Sequence, residues 1–148
     1  MSAKIDWFAR VGTDKFSAKK EFYAGTYTKK EPLTVELQVW NNRWGIAAVD
    51  NIDSAVINFY FDTLEDSALL KHCSLILDDR EDLSIVIKNN MATAILNRSL
   101  TGAANDGDET NSVNKNNFAK LTFKFDAGDY QLKENDLKNL FFEVIDAQ

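Results

Sequence analysis

The run Leu33-Thr-Val-Glu-Leu-Gln-Val-Trp40 alternates apolar and polar side chains through most of its length. Successive residues of a β-strand point to opposite sides of the sheet. A period of two therefore puts Leu33, Val35, Leu37 and Val39 on one face, and Thr34, Glu36, Gln38 and Trp40 on the other. The pattern recurs in Ala55-Val-Ile-Asn-Phe-Tyr-Phe61 and Phe118-Ala-Lys-Leu-Thr-Phe-Lys-Phe125. An amphipathic helix would instead repeat its apolar residues three and four apart. These runs predict strands with one face buried.

Outward from that core, Ile5, Trp7, Ala9 and Val11 predict a first strand ending at Gly12. Residues 13–31 hold Phe16, Phe22, Tyr23 and Tyr27, and read either as an edge strand or as an extended N-terminal arm. Pro32, the single proline, opens the Leu33–Trp40 strand, where a missing N–H falls outside the ladder. Asn41–Gly45 reads as a turn, and Thr63–His72 as the one short helix, with Thr63 as its cap and Leu64, Ala68 and Leu69 inward. Cys73–Leu77, Leu83–Ile87, Met91–Leu96, Tyr130–Leu132 and Leu140–Ile145 complete the strands, and 97–117 forms a long loop. Turns about every ten residues predict an all-β fold: an antiparallel β-sandwich, jelly-roll or Ig-like, of about 8–10 strands. The expected organisation is a single domain over 1–148.

The net charge is −6, but it is unevenly placed. Residues 1–44 carry eight basic and five acidic residues, whereas 45–148 carry nine basic and eighteen acidic ones. Overall acidity argues against a nucleic-acid partner, which needs a basic face. The basic first third (Lys15, Lys19, Lys20, Lys29, Lys30) instead suits the acidic remainder of a neighbouring copy. No run approaches the roughly 18 apolar residues of a membrane span. Met1-Ser-Ala-Lys-Ile-Asp-Trp7 has no apolar stretch of signal-peptide length, so no leader is expected. The lone Cys73 excludes an internal disulfide.

No catalytic constellation emerges, and the chain reads as not an enzyme. His72 and Cys73 are adjacent, and neighbours on a strand or helix diverge rather than face each other as a nucleophile and its base must. There is no phosphate loop, dinucleotide fingerprint or nucleophile elbow. The loop Ser99–Ser112 is rich in oxygen ligands, and Asp106, Asp108 and Thr110 alternate as calcium ligands do, without the EF-hand spacing. Ca2+ is therefore the one candidate ion, and no other cofactor is expected. Trp40 and Trp44 are planar surfaces for a sugar ring or a protein partner. The candidate interface comprises Phe16, Phe22, Tyr23, Tyr27, Arg43 and Trp44.

Val35-Glu-Leu-Gln-Val-Trp-Asn-Asn-Arg-Trp-Gly45, Ile57-Asn-Phe-Tyr-Phe-Asp62, Leu69-Leu-Lys71 and Leu137-Lys-Asn-Leu-Phe-Phe-Glu-Val144 together resemble small β-sandwich proteins of tailed bacteriophage virions, from neck, tail or baseplate. The resemblance carries no diagnostic motif. It implies a non-catalytic, multi-copy structural protein made in the host cytoplasm and built into a virion, with its own copies and other virion proteins as partners. The alternative is a carbohydrate-binding β-sandwich module, calcium-dependent through the 101–112 loop and stacking a glycan on Trp44.

Overall fold

A computed structural model describes residues 2–10, 17–18, 21–27, 33–61, 70–126 and 138–147. Its strands are β1 (Ile5–Arg10), β2 (Ser17–Ala18), β3 (Glu21–Tyr27), β4 (Leu33–Asn41), β5 (Val56–Phe61), β6 (Cys73–Leu77), β7 (Glu81–Asp82), β8 (Ile85–Lys88), β9 (Met91–Ile95), β10 (Phe118–Phe125) and β11 (Lys138–Ala147). They form two sheets, one of six strands in the order β2-β1-β4-β10-β6-β7 and one of five in the order β3-β11-β5-β9-β8. Every pairing is antiparallel, so the chain is all-β, as the alternation predicts.

The sheets meet through the faces that the period of two assigns inward. Val35, Leu37 and Val39 of β4 join Leu121, Phe123 and Phe125 of β10 and Ile57, Phe59 and Phe61 of β5 in one core. Two edge-on aromatic pairs link the layers: Phe59 with Phe123 at 5.7 Å, and Phe61 with Phe125 at 6.3 Å. Burying each such side chain contributes roughly 1.5–3 kcal/mol.

Residues 17–18 and 21–27 of the ambiguous N-terminal segment are edge strands paired within their own chain: β2 on β1 and β3 on β11. That pairing takes the place of an extended arm. Phe16 and Lys15, Lys19, Lys20, Lys29 and Lys30 lie outside the described residues, as does Tyr130–Leu132. Most of the expected Thr63–His72 helix also lies outside them; Leu70–His72 form a 3-10 turn with Leu70 fully buried.

The expected strand Leu83–Ile87 is corrected. Glu81–Asp82 pair with β6 in the six-stranded sheet, and Ile85–Lys88 pair with β9 in the other. Leu83 lies at the crossing point, buried, with its N–H donating to Leu75 O at 2.9 Å. A continuous apolar run does not distinguish a straight strand from one that changes sheets, because both bury the same residue types. The β8–β9 turn at Asn89-Asn90 is as expected: both residues take positive φ, 52° and 63°.

Candidate functional site

The distinctive chemistry lies on the outer face of the six-stranded sheet. Register places Trp40 beside Asp6 of β1 on one side and Phe118 of β10 on the other, with Gln38 between Phe8 and Lys120. These side chains point away from the inter-sheet core, yet Trp40 is 0% and Phe8 6% exposed. The turn after β4 and the loop 97–117 cover them.

Asparagines build that cover. Asn42 (φ 61°) and Trp44 (φ 59°) adopt left-handed backbone, and Gly45 N–H closes the turn on Asn42 O at 2.9 Å. Asn42 Nδ2 donates to Ala47 O and Gly102 O, and Asn105 Nδ2 donates to Asn42 O. Asn41 Nδ2 donates to Asp50 O and Leu100 O, while Asn117 Nδ2 reaches Thr101 O and Ala103 O. Asn41, Asn42 and Asn117 are all buried. A primary amide donates two hydrogens, so each can bridge two backbone carbonyls of the covering loops.

Under this cover the Arg43 guanidinium sits 4.3 Å from the Phe8 ring centroid, 4.5 Å from Trp40 and 4.3 Å from Trp44. Such contacts contribute about 0.5–2 kcal/mol each, more as water is excluded. Arg43 Nε donates to Gly107 O at 3.0 Å. Burial lowers the guanidinium from its ordinary value, while Glu109, Asp108 and Asp6 act in the opposite direction. Phe118 lies against Trp40, 4.4 Å between centroids and 17° between planes. Trp40 Nε1 donates to Gln38 Oε1, and Gln38 Nε2 to Glu109 Oε2. The result is a continuous stack from Trp44 through Arg43 and Trp40 to Phe118.

Beyond Phe118 opens a cavity of about 570 Å³ lined by Asp78, Asp79, Arg80, Arg98, Lys115, Asn116, Phe118 and Lys120. Asp78 and Asp79 take left-handed φ of 50° and 59° at the end of β6. Asp78 is held there by Arg98 Nη1 at 2.6 Å and by Lys120 N–H at 3.0 Å. Lys120 Nζ pairs with Asp79 at 3.0 Å.

Of the sequence-predicted interface, the structure brings together Arg43 and Trp44, the latter 57% exposed. Phe22, Tyr23 and Tyr27 lie on β3, at an edge of the other sheet. The candidate calcium ligands Asp106, Asp108 and Thr110 share one exposed loop, where the two carboxylates accept hydrogen bonds from neighbouring loop residues. Asp106 accepts from Asn111 Nδ2, Asn114 Nδ2 and the Asp108 N–H; Asp108 accepts from Thr110 N–H and Oγ1. These bonds hold both carboxyls below their ordinary value, led at Asp106 by the Asp108 N–H and at Asp108 by the Thr110 hydroxyl. Among the described residues no three His, Cys, Asp or Glu side chains gather closely enough to hold a metal ion.

Sequence reading missed Phe8, Phe118 and the cavity. The available signal was large aromatics on the polar side of the alternation, Phe8 between Trp7 and Ala9 and Phe118 before Ala119. No helix among the described residues is long and apolar enough to cross a membrane. No family model matches the chain, and neither the curated proteins nor the solved structures contain a match to it.

Proposed function

We propose that this chain is a non-catalytic assembly component, a β-sandwich of jelly-roll or Ig-like kind, working in many copies as the structural proteins of tailed-phage virions do. The observation that carries the reading is an edge of the five-stranded sheet that no other strand among the described residues pairs. β8 is the end strand of that sheet, and it exposes Val86 (60%) and Ile87 (42%) beside Ile95 (50%) on β9. Unpaired N–H and C=O groups next to exposed aliphatic side chains form a template for another strand, and folded proteins ordinarily protect such edges.

The occupant argued for is β8 of a second copy. Antiparallel two-fold pairing satisfies both edges with one contact and joins the two five-stranded sheets. It also directs Lys88 of one copy toward the acidic Glu81–Asp82 end of the other. The uneven charge of the chain as a whole supports association between copies in the same way.

Light scattering on the purified chain tests this. A dimer or larger species is expected, converted to monomer by Val86→Lys with an unchanged circular-dichroism spectrum. A wild-type chain that stays monomeric at high concentration overturns the reading. Cofractionation with particles distinguishes a virion component from an isolated dimer.

A further inference from the structure

We propose that the cavity beside Phe118 binds an acidic saccharide, with its carboxylate on Arg80 and Lys115 and the apolar C–H face of its ring on Phe118. The cavity, about 570 Å³, falls within the roughly 300–1,000 Å³ of small-ligand sites. Four cationic side chains (Arg80, Arg98, Lys115, Lys120) and two carboxylates (Asp78, Asp79) line it, in a chain whose net charge is −6. The carboxylates are matched internally: Asp78 with Arg98, and Asp79 with Lys120. Arg80 and Lys115 are exposed and their side chains have no hydrogen-bond or ion-pair partner among the described residues, so the cavity has a surplus of positive charge.

The remaining chemistry narrows the anion. One face of Phe118 is covered by Trp40, and the rest of its half-buried ring lines the cavity. An aromatic ring clamped from behind is a preorganised platform for a flat apolar surface, and the C–H face of a sugar supplies one. Asp78, Asp79, Arg98 and Asn116 are planar groups that pair with vicinal hydroxyls. Inorganic phosphate offers Phe118 no apolar face, whereas a uronate brings both a carboxylate for the two free cations and a C–H face for the ring. Arg98 cannot swing away to meet a ligand alone, because Nη1 is held by Asp78 and Nη2 by Lys115 O at 2.8 Å. The Asp78–Arg98 pair and the Phe118 ring are thus held in advance, and Arg80 and Lys115 are free to close on the carboxylate.

Titration of the whole chain with tri-galacturonic acid tests this, followed by tryptophan emission and by amide shifts of residues 78–80 and 115–120. Saturable binding is expected, weakened at least about tenfold in the Arg80→Glu/Lys115→Glu double variant, because two charge-assisted contacts are reversed. Both residues are exposed, so the double variant keeps its fold, which circular dichroism checks. Neutral galactotriose is expected to bind far more weakly. No saturation by about 10 mM overturns the proposal, as does equal affinity for the neutral sugar or an unaffected double variant. Tighter binding of AMP or inorganic phosphate than of the uronate also overturns it. Oligomeric state plays no part in this test, so its outcome is separate from that of the assembly reading.

Discussion

Phe118 lies flat on Trp40, 4.4 Å between ring centroids and 17° between planes, although 77 residues separate them in the chain. The contact arises because β4 and β10 are neighbours in register, with Trp40 opposite Phe118. It makes a fully buried indole out of a side chain that points away from the inter-sheet core. Phe118→Ala removes the stack and opens Trp40 to water. The expected result is a loss of about 1–2 kcal/mol in urea unfolding with a red-shifted tryptophan emission. An unshifted emission would show that Trp40 is sealed by Arg43 and the loop without Phe118.

Gly107 is fixed by two demands. Its φ is 75°, and a Cβ there would stand 2.0 Å from Trp44 Cδ1. Gly107→Ala therefore carries about 1–2 kcal/mol of left-handed backbone cost, plus the displacement of Trp44. A double variant with Trp44→Ala separates the parts: it recovers the steric share and leaves the backbone share. If the two substitutions simply add, the contact between Gly107 and Trp44 does not shape the loop.

Cys73 opens β6 opposite Phe125 and packs against the core. Burial pushes its thiol well above the ordinary range, and the thiolate is the reactive form. Iodoacetamide at mildly alkaline pH is expected to leave Cys73 intact in the folded chain and to alkylate it readily in urea. Rapid modification under native conditions would contradict this placement.

His72 is held below its ordinary value of 6.5, chiefly by burial and then by Lys71, with Asp126 opposing. The fold thus prefers the neutral imidazole, and the unfolded chain takes up the proton first as pH falls. The stability this contributes is complete above about 6.5 and is lost as pH drops through the lower folded value. Melting temperatures measured from about pH 7.5 to 5 should fall more steeply for wild type than for His72→Gln. Parallel profiles would remove His72 as the source.

Much of the frame was legible in the chain. Val35, Leu37 and Val39 face inward as their spacing requires, and so do Leu121, Phe123 and Phe125. The reading failed where the local pattern is shared by different structures. Leu83 and Ile85 look like one strand but belong to a crossing between sheets, because burial selects the same residues either way. Within the Asp106–Thr110 loop, Asn111 and Asn114 donate to Asp106 and Thr110 donates to Asp108, pairings that the alternation alone does not display.

By itself, then, the sequence determined the strands and which side of each is buried, because strand geometry repeats every two residues and needs no distant partner. Tertiary structure alone decided what Trp40, Arg43 and Phe118 are for. Their stack depends on β1, β4 and β10 lying side by side and on a loop folding over them. The cavity exists only because the Asp78–Arg80 turn meets Arg98 and Lys115–Lys120 in space. Contacts between distant residues are set by sheet order and loop closure, and neither is written in a local period.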